Sequence, residues 1–590
     1  MKKIRKLLAV LFTAGITAGN MMPAAAEELP SGLDYEDLED ELEDYVDDLE
    51  DDMAALGVSV FTADKVLYSG MFGLTDRQYE TAADENTVFD WGPISQVLVW
   101  TSAMQLKEEG KLDLNADVRT YLPEEFRASL KFEKPVSMTD LMNHTGGFEE
   151  LFIDTHESSI SMVLPLDQAL LRHQPDQVYE PGTVTAQSDW GAALAGYVVQ
   201  CISGQDYYDY VRAHILEPLG MKNTAVKPDL SDVEGMALRR MKMKCYTAKM
   251  AEIADDYFIS VLYPSGSAVG TPDDFRVFMQ ALLPGSEGSA KLFSDPQTAE
   301  EMLSGSDFYE TSGLPKNSHG LWNLLQSVPV IGIRGITMGC TSSFAYDPQS
   351  GIAVCIMTNV QGETDFNQGI MDMVFGKSED AEIQRDAYPS GKFMTANTIY
   401  TGPLRLFSYR AAKLSDDEIT DGYWETTADG AKLEQPYSDY LKVPVSLWMR
   451  QDLLVAWFSL AFVMAIGCLI LWVWPLPGRI NTKEGMMRWY DLTGKIGHVV
   501  VLILIASMMM SLQLASLYYD TRYFGIVFPL LGVLAGILAV LLVLNLYQRF
   551  RLKGQPFTKL QTIFGILRPI MWTGVIVNVL YWQLYALSLL

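Results

Sequence analysis

FDWGPISQ, residues 89–96, continues as VLVWTSAMQL to residue 106, and this stretch decides the fold. Pro93 suits the first turn of a helix, because proline has no N–H and the first N–H groups of a helix lack partners anyway. Apolar residues follow it through a segment of helical length, and Gly110 is a typical residue to end a helix. The stretch therefore predicts a strand end, a turn and a buried helix over residues 93–109.

Two hairpins are predicted on either side of this helix in the sequence. Residues 57–61 and 65–70 alternate between apolar and polar around a three-residue turn. Residues 341–346 and 352–357 do the same around the turn at Asp347-Pro348. Alternation of this kind is typical of strands with one buried face.

The N-terminus has the features of a secretory signal. Four basic residues precede an apolar run from Leu7 to Ala18, and PAAA at 23–26 resembles a cleavage site. A first transmembrane helix is the alternative, but the run is short for a membrane span. We expect residues 1–26 to be a signal peptide and the mature chain to begin outside the cytoplasm.

Charge is distributed unevenly along the chain. The whole sequence carries −30, whereas residues 451–590 hold ten Lys or Arg and four Asp or Glu, and residues 1–26 carry +4. Residues 27–450 therefore carry −40. So acidic a region repels nucleic acid, and no nucleic-acid partner is expected. The five cysteines are widely spread and do not indicate a disulfide scaffold.

The densest acidic segment lies between residues 34 and 53. Leu38, Leu42, Leu49 and Met53 recur in it at helical spacing, which predicts an acidic amphipathic helix. A calcium site is the alternative, but the glycine-bearing spacing of an EF-hand is missing. No other arrangement of His, Cys, Asp or Glu suggests a metal, and neither metal nor cofactor is expected.

The last 140 residues read as a membrane region. Four apolar stretches are long enough to span it: 453–474, 499–518, 523–546 and 563–585. Basic residues concentrate after the first and third stretches, so loops 476–496 and 548–562 are expected in the cytoplasm. The chain is thus expected to be a multi-pass membrane protein with a large extracytoplasmic N-terminal domain. The bundle is read either as an anchor or as a partner-binding module.

Several motifs together resemble the β-lactamase-related serine hydrolases, which include class C β-lactamases and D-alanyl-D-alanine carboxypeptidases. The motifs are MQLKEEGKLDL at 104–114, LMNHTGGF at 141–148, PLGMKNT at 218–224 and YDPQSGIAVCIMTN at 346–359. The resemblance implies an α+β ectodomain, with an antiparallel sheet, flanking helices and a helical subdomain. We expect this domain over residues 27–376, then a connecting segment or small β-rich module over 377–450, and the membrane region over 451–590.

The family's chemistry, as the resemblance implies it, needs three motifs. They are S-x-x-K, Y-x-N, and K-T-G or H-x-G. The six positions carried over to this chain are occupied by Pro93, Gln96, Gln187, Asp189, Ile333 and Gly335. Only Gly335 matches. Because neither nucleophile nor activating base is present, we expect no catalytic residue at these positions.

A cleft between the sheet and the helical subdomain remains as a candidate ligand site. The residues expected to line it are Ser95, Gln96, Gln187, Ser188, Asp189 and Arg334. One hypothesis is that the cleft binds a cell-wall peptide or a protein partner without cutting it. Another is that these polar residues are merely solvated. The sequence predicts a non-catalytic homologue that binds or regulates at the cell envelope. The alternative is an active serine hydrolase on peptidoglycan-type peptides or small esters, using Ser95, Ser188 or Asp189.

Overall fold

The computed structural model describes the chain in two compact units. The described residues are 28–49, 53–150, 155–157, 159–254, 257, 259–377, 391–398, 425–427, 430–473, 485–518, 524–557 and 559–586. The N-terminal unit comprises the described residues up to Asn397 together with 425–442, and the C-terminal unit contains residues from Val443 onward. The proposed signal peptide lies outside the described residues.

The helices of the N-terminal unit are mostly short. In chain order, α1 to α13 are Leu38–Asp48, Gln96–Glu108, Glu124–Ala128, Met138–Met142, Leu166–Arg172, Asp189–Ser203, Tyr207–Val211, Glu217–Leu219, Met236–Lys242, Pro272–Leu282, Ser289–Leu292, Pro296–Met302 and Asp365–Phe375.

Strands occur in several sheets of this unit. In chain order, β1 to β21 are Leu56–Phe61, Val66–Phe72, Leu74–Asp76, Thr81–Ala82, Phe89–Asp90, His156–Glu157, Thr224–Ala225, Tyr246–Thr247, Ile259–Ser260, Val269–Gly270, Asp307–Phe308, Pro315–Ser318, Leu321–Leu325, Pro329–Ile336, Thr341–Tyr346, Ala353–Thr358, Val360–Gln361, Phe393–Thr395, Glu425–Thr426, Lys432–Glu434 and Tyr440–Lys442.

The main sheet is antiparallel and has the order β11-β12-β13-β14-β15-β16-β1-β2. The hairpin β1–β2 joins the later hairpin β15–β16 through pairing of β1 with β16, from Leu56 opposite Thr358 to Phe61 opposite Ala353. Both hairpins are where the alternation predicted them. Every residue of β1, β15 and β16 is buried, because helices cover the sheet.

The helix that follows the opening stretch is the centre of the core. A 3₁₀ turn, Gly92–Ser95, leads into α2, and residues 96–106 are all buried. Trp91 and Trp100 are completely enclosed. The predicted helix over 93–109 is therefore confirmed, except that its first turn is tighter than an α-helix. α2 is buried all round, which is typical of a helix inside a large domain rather than on its surface.

The acidic helix α1 is shorter than the 34–53 segment predicted from sequence. Its start is delayed to Leu38 because the Asp34 carboxylate accepts the Glu36 N–H at 3.0 Å, a local turn that competes with helix formation. Leu38, Leu42 and Val46 form the buried stripe, and the acidic side chains face water. Residues 50–52 lie outside the described part of the chain.

A second sheet forms within the segment expected to connect the domain to the membrane. Its order is β18-β21-β20-β19, and all four strands lie between residues 393 and 442. The strands belong to the N-terminal unit, so this part of the segment is a β-rich module rather than an open link.

The C-terminal unit consists of four long helices, α14 to α17, at Val445–Val473, Gly485–Tyr518, Phe524–Arg551 and Lys559–Tyr581. Each contains a stretch long and apolar enough to cross a membrane: Val445–Cys468, Gly485–Met510, Val527–Arg551 and Gln561–Tyr581. Polar groups tie the helices together; the Trp457 indole N–H, for example, donates to the Ile570 carbonyl at 3.0 Å. The four apolar helices expected from sequence are present and suggest association with a membrane.

Candidate functional site

Pro93 lies in the 3₁₀ turn at the start of α2, pressed against strand β14. A Cβ atom on Gly335 would lie 2.2 Å from the Trp91 carbonyl oxygen, so only glycine allows this approach. Ile333 is on the same face of β14, because strand residues two apart share a face, and it is 3% exposed. The turn, the helix and the strand thus converge on one place, and an apolar side chain and a proline occupy it.

Gln96 is one helical turn after Pro93 and is completely buried. Its Nε2 donates to Oδ1 of Asp189 at 2.9 Å, across from the start of helix α6. Its Oε1 is buried without a hydrogen-bond partner. Residue 96 is therefore a neutral amide whose Oε1 has no described hydrogen-bond partner. It has no positive charge to balance the Asp189 carboxylate.

Glu150 completes this cluster and was missed by the sequence analysis. Its side chain is 4% exposed and accepts the Asp189 backbone N–H at 3.1 Å. The Ser188 side chain also hydrogen-bonds to it. Glu150 is the second residue after the LMNHTGGF motif, and the acidic pair Glu149-Glu150 at the end of this motif is the signal in the sequence that could have indicated it.

The two carboxyl groups have strongly raised pKa values. Burial raises the pKa of Asp189 to about 6, although the Gln96 hydrogen bond opposes the shift. Burial raises the pKa of Glu150 well above its usual range, and the neighbouring charge of Asp189 adds to the effect. Both effects disfavour the charged form of Glu150, because burial removes water from the carboxylate and a like charge lies beside it.

His144 is a neutral ring next to this cluster and holds Ser188 by a hydrogen bond. Burial lowers its pKa to about 3, and its Nδ1 accepts the Ser188 N–H at 3.2 Å. The ring stacks on Trp322 with 5.5 Å between centroids. Ser188 in turn caps α6, since its Oγ accepts the Gly191 N–H at 3.0 Å. His144 and Ser188 thus hold the start of α6 in place.

Gln187 lies next to residues 437–439, which connect strands β20 and β21 of the second sheet. Its backbone N–H donates to the Tyr437 carbonyl at 2.9 Å, and the nearby Thr185 N–H donates to Oδ2 of Asp439 at 2.9 Å. Asp439 forms a buried ion pair with Lys316. Residues 437–439 are therefore fastened along the 185–187 loop by main-chain hydrogen bonds and a buried charge pair.

Two of the expected cleft residues lie elsewhere. Ser95 is buried, and its Oγ accepts the Ala268 N–H at 3.1 Å. Arg334 alternates with Ile333 and Gly335 along β14, so its side chain is on the other face, where its guanidinium donates to the Glu363 carbonyl. The structure thus brings Gln96, Ser188 and Asp189 together beside Pro93. Among the described residues, no three His, Cys, Asp or Glu side chains are grouped as a metal site.

Comparison with known proteins agrees with this architecture. Residues 39–372, more than half of the chain, match the family model described as Beta-lactamase. The chain belongs to the β-lactamase family. A Bacillus subtilis (strain 168) protein with the provisional name penicillin-binding protein PbpX is 27% identical over 260 residues, which is 43% of this chain and 62% of that protein. Penicillin-binding protein 4 of Amycolatopsis lactamdurans is 28% identical over 177 residues, 30% of this chain and 45% of that protein.

Solved structures of other proteins are also similar to this chain. EstCE1, described as a hydrolase with promiscuous acyltransferase activity, is 22% identical, and the match covers 58% of this chain and 99% of that one at a TM-score of 0.48. D-alanine carboxypeptidase AmpC from Burkholderia cenocepacia is 18% identical, with the match covering 58% and 99% at a TM-score of 0.44. Membership of the family does not test which residues occupy its six catalytic positions in this chain. The assignment of those positions to Pro93, Gln96, Gln187, Asp189, Ile333 and Gly335 stays a prediction.

Proposed function

We propose that this protein is a membrane-anchored, extracytoplasmic member of the β-lactamase family that does not hydrolyse and that binds a ligand at the cell envelope. The observation that carries the proposal is the hydrogen bond of Gln96 to Asp189. Acyl transfer by the family's chemistry needs a nucleophile and a base that removes its proton. Pro93 has no hydroxyl group, and Gln96 neither accepts nor releases a proton at physiological pH.

The ligand class is inferred from the relatives and from the site. The relatives are named for penicillin binding and for D-alanyl-D-alanine carboxypeptidase activity, so a cell-wall type peptide is the first candidate. The half-buried Asp189 carboxyl group is an acceptor for N–H donors, and the buried Gln96 and Glu150 are its hydrogen-bond neighbours. A peptide that presents amide or amine N–H groups suits this set, and a protein partner with such a segment does so equally.

An active hydrolase is the second candidate, and one contact favours it. Ser188 hydrogen-bonds to Glu150, which is the arrangement of a hydroxyl beside a carboxylate base. Two facts count against this alternative. The Ser188 Oγ already caps α6, and burial raises the pKa of Glu150 well above its usual range, which disfavours the ionised carboxylate that a base needs to be.

The test is intact-mass spectrometry of the full chain after exposure to a fluorescent penicillin. We expect no covalent adduct on the wild type or on Pro93→Ser, because a nucleophile without its base contributes little. The double variant Pro93→Ser/Gln96→Lys restores both groups and is expected to form a slow adduct at residue 93. An adduct on the wild-type chain, at any residue, contradicts the proposal and supports the hydrolase.

The location is tested separately with single cysteine variants. The N-terminal signal and the basic loops support an outside N-terminal unit, so a cysteine at Lys483 is expected to resist an impermeant thiol reagent in intact cells. A cysteine at the exposed Asp113 is expected to react. Labelling at 483 but not at 113 contradicts the orientation.

A further inference from the structure

Three polar side chains meet near the basic end of the four-helix bundle. They are Tyr490 on α15, Arg549 on α16 and Arg568 on α17. The Arg568 guanidinium carbon lies 5.4 Å from the centre of the Tyr490 ring. The Tyr490 Oη and the Arg549 Nε are 3.1 and 3.4 Å from the point where a Cβ on Gly565 would stand. Glycine at residue 565 therefore lets both polar groups approach the helix backbone closely, and we call the place beside Gly565 where they meet the recess.

Among the described residues, the donors around this recess are not fully satisfied. Tyr490 is 5% exposed, and no described residue hydrogen-bonds to its Oη. Nη1 of Arg549 is also buried with no partner among these residues. Arg568 makes two long hydrogen bonds to described residues, of 3.4 Å each, to Nε2 of His498 and Oδ1 of Asn545. A buried donor without an acceptor costs free energy, and the cost is greater where no water is available.

No carboxylate balances the two arginines within the described part of the bundle. Asp491, the acid nearest to Tyr490 in sequence, pairs with Lys495 at 3.1 Å. The guanidinium of Arg549 instead stacks on Phe557, 3.6 Å from the ring centre. Two cations and a phenol hydroxyl, grouped without an anion among the described residues, are a donor set that a phosphate group accepts.

We propose that Tyr490, Arg549 and Arg568 bind the phosphate of an anionic membrane phospholipid. A lipid is favoured over free phosphate because of where the recess lies. Arg568 is seven residues into the candidate span Gln561–Tyr581, about 10 Å along the helix axis. Ile566, next to Gly565, is 60% exposed, and Ile563 and Ile570 on the same helix are also exposed. The recess therefore adjoins an apolar helix surface suited to acyl chains, as in other basic lipid sites between helices.

The experiment measures lipid binding to the full chain purified in a non-ionic detergent. Thermal unfolding and native mass spectrometry are followed while short-chain phosphatidylglycerol, phosphatidylcholine of the same chain length, or inorganic phosphate is added. We expect phosphatidylglycerol to bind and stabilise the protein, with phosphatidylcholine at least about fivefold weaker because its head group has no net charge. Inorganic phosphate at equal concentration is expected to give no stabilisation.

Variants then locate the site. Arg549→Gln is expected to weaken phosphatidylglycerol binding about fivefold, the effect of one charge near a membrane surface. Arg551→Gln is the matched control, since it removes the same charge from the same helix end at an exposed position. Its binding is expected to stay within about twofold of wild type. Tyr490→Phe keeps the ring and removes only the unpartnered hydroxyl, so it tests the recess if an arginine variant fails to fold.

The proposal is overturned by any of three results. Equal binding of both phospholipids removes the role of the anionic head group. An equal loss in Arg549→Gln and Arg551→Gln, with Tyr490→Phe unchanged, shows general surface attraction instead of a site. Stabilisation by inorganic phosphate alone assigns the recess to free phosphate.

Discussion

Two carboxylate sites with restricted access to water lie on either side of the turn that contains Pro93, and they have different partners. Asp90, three residues before Pro93, receives two hydrogen bonds from Arg240, at 2.7 and 2.9 Å. Asp189 accepts a hydrogen bond from Gln96, three residues after Pro93, and lies beside the carboxyl group of Glu150. A cation balances the first site, whereas no described cation is hydrogen-bonded to the second.

The two sites differ in the group that compensates the acid: a charged guanidinium at Asp90 and a neutral amide at Asp189. A bidentate guanidinium gives Asp90 two charge-assisted hydrogen bonds, whereas an amide hydrogen bond only partly offsets the burial of Asp189. The contribution of the second site to stability is therefore expected to depend on pH near neutrality. The predictions below test this contrast, beginning with the largest expected effect.

Removing the cation from the first site is expected to be the most damaging change. Arg240→Met should lower the free energy of unfolding of the N-terminal unit by about 3–5 kcal/mol, because it leaves Asp90 buried without a counter-ion. Urea unfolding of the full chain in detergent, followed by tryptophan fluorescence, measures this. Arg239→Met is the control: that side chain donates hydrogen bonds to Asn86 and Asn223, the carboxylates of Asp84 and Asp274 act on it through their charge, and its loss should cost about 1 kcal/mol. Equal losses for the two variants refute the prediction.

Removing an acid from the second site is expected to stabilise the protein at high pH. The folded-state pKa of Asp189, about 6, is above its ordinary value, so the folded state holds the proton more tightly than the unfolded chain. The contribution of Asp189 to the free energy of unfolding is therefore greatest below about pH 4 and is lost as the pH rises through 6. Asp189→Asn should remove this loss and gain about 1–3 kcal/mol at pH 8.

The measurement is the unfolding midpoint between pH 4 and 8. Asp113→Asn, at an exposed carboxylate, is the control and should leave the pH dependence of wild type. A pH profile of Asp189→Asn that is parallel to that of wild type contradicts the assignment.

Giving the second site a cation is expected to make it resemble the first. Gln96→Lys places an ammonium group near the Asp189 carboxylate, which should return the Asp189 pKa toward its ordinary value and flatten the stability profile above pH 5. The net change in stability should be within about 1 kcal/mol at pH 7, because burial of the ammonium offsets the attraction. Gln96→Met removes the amide without adding charge and should steepen the profile instead. Profiles of the same slope for both variants refute the idea.

The smallest effect is expected where carboxylates face water. Glu43 is exposed on helix α1, so Glu43→Gln should change the free energy of unfolding by less than about 0.5 kcal/mol at any pH between 5 and 8. A larger change, measured in the same urea titration, means that Glu43 makes a stabilising or destabilising contact and is not simply solvated.

Local pattern predicted the fold well and the site only in part. The hairpins and the helix after Pro93 depend on neighbouring residues, and all were predicted where they occur. Glu150 was missed because its partner is 39 residues away, and the bond between Thr185 and Asp439 spans 254 residues. The periodicity of apolar residues does not predict contacts between residues so far apart in the sequence. The direction of Arg334 was predictable, because alternation along β14 puts it opposite Gly335.

The ion pair between Lys316 and Asp439 decides where this domain can be cut. Lys316 is 1% exposed, and its counter-ion lies 67 residues beyond the end of the family match at residue 372. A fragment that stops at the family boundary removes the carboxylate that pairs with this buried ammonium group and leaves it with the longer-range charge of Asp307, at a cost of up to about 3–5 kcal/mol. An N-terminal fragment that keeps the ion pair therefore has to include residue 439, and one that also keeps strand β21 ends at residue 442.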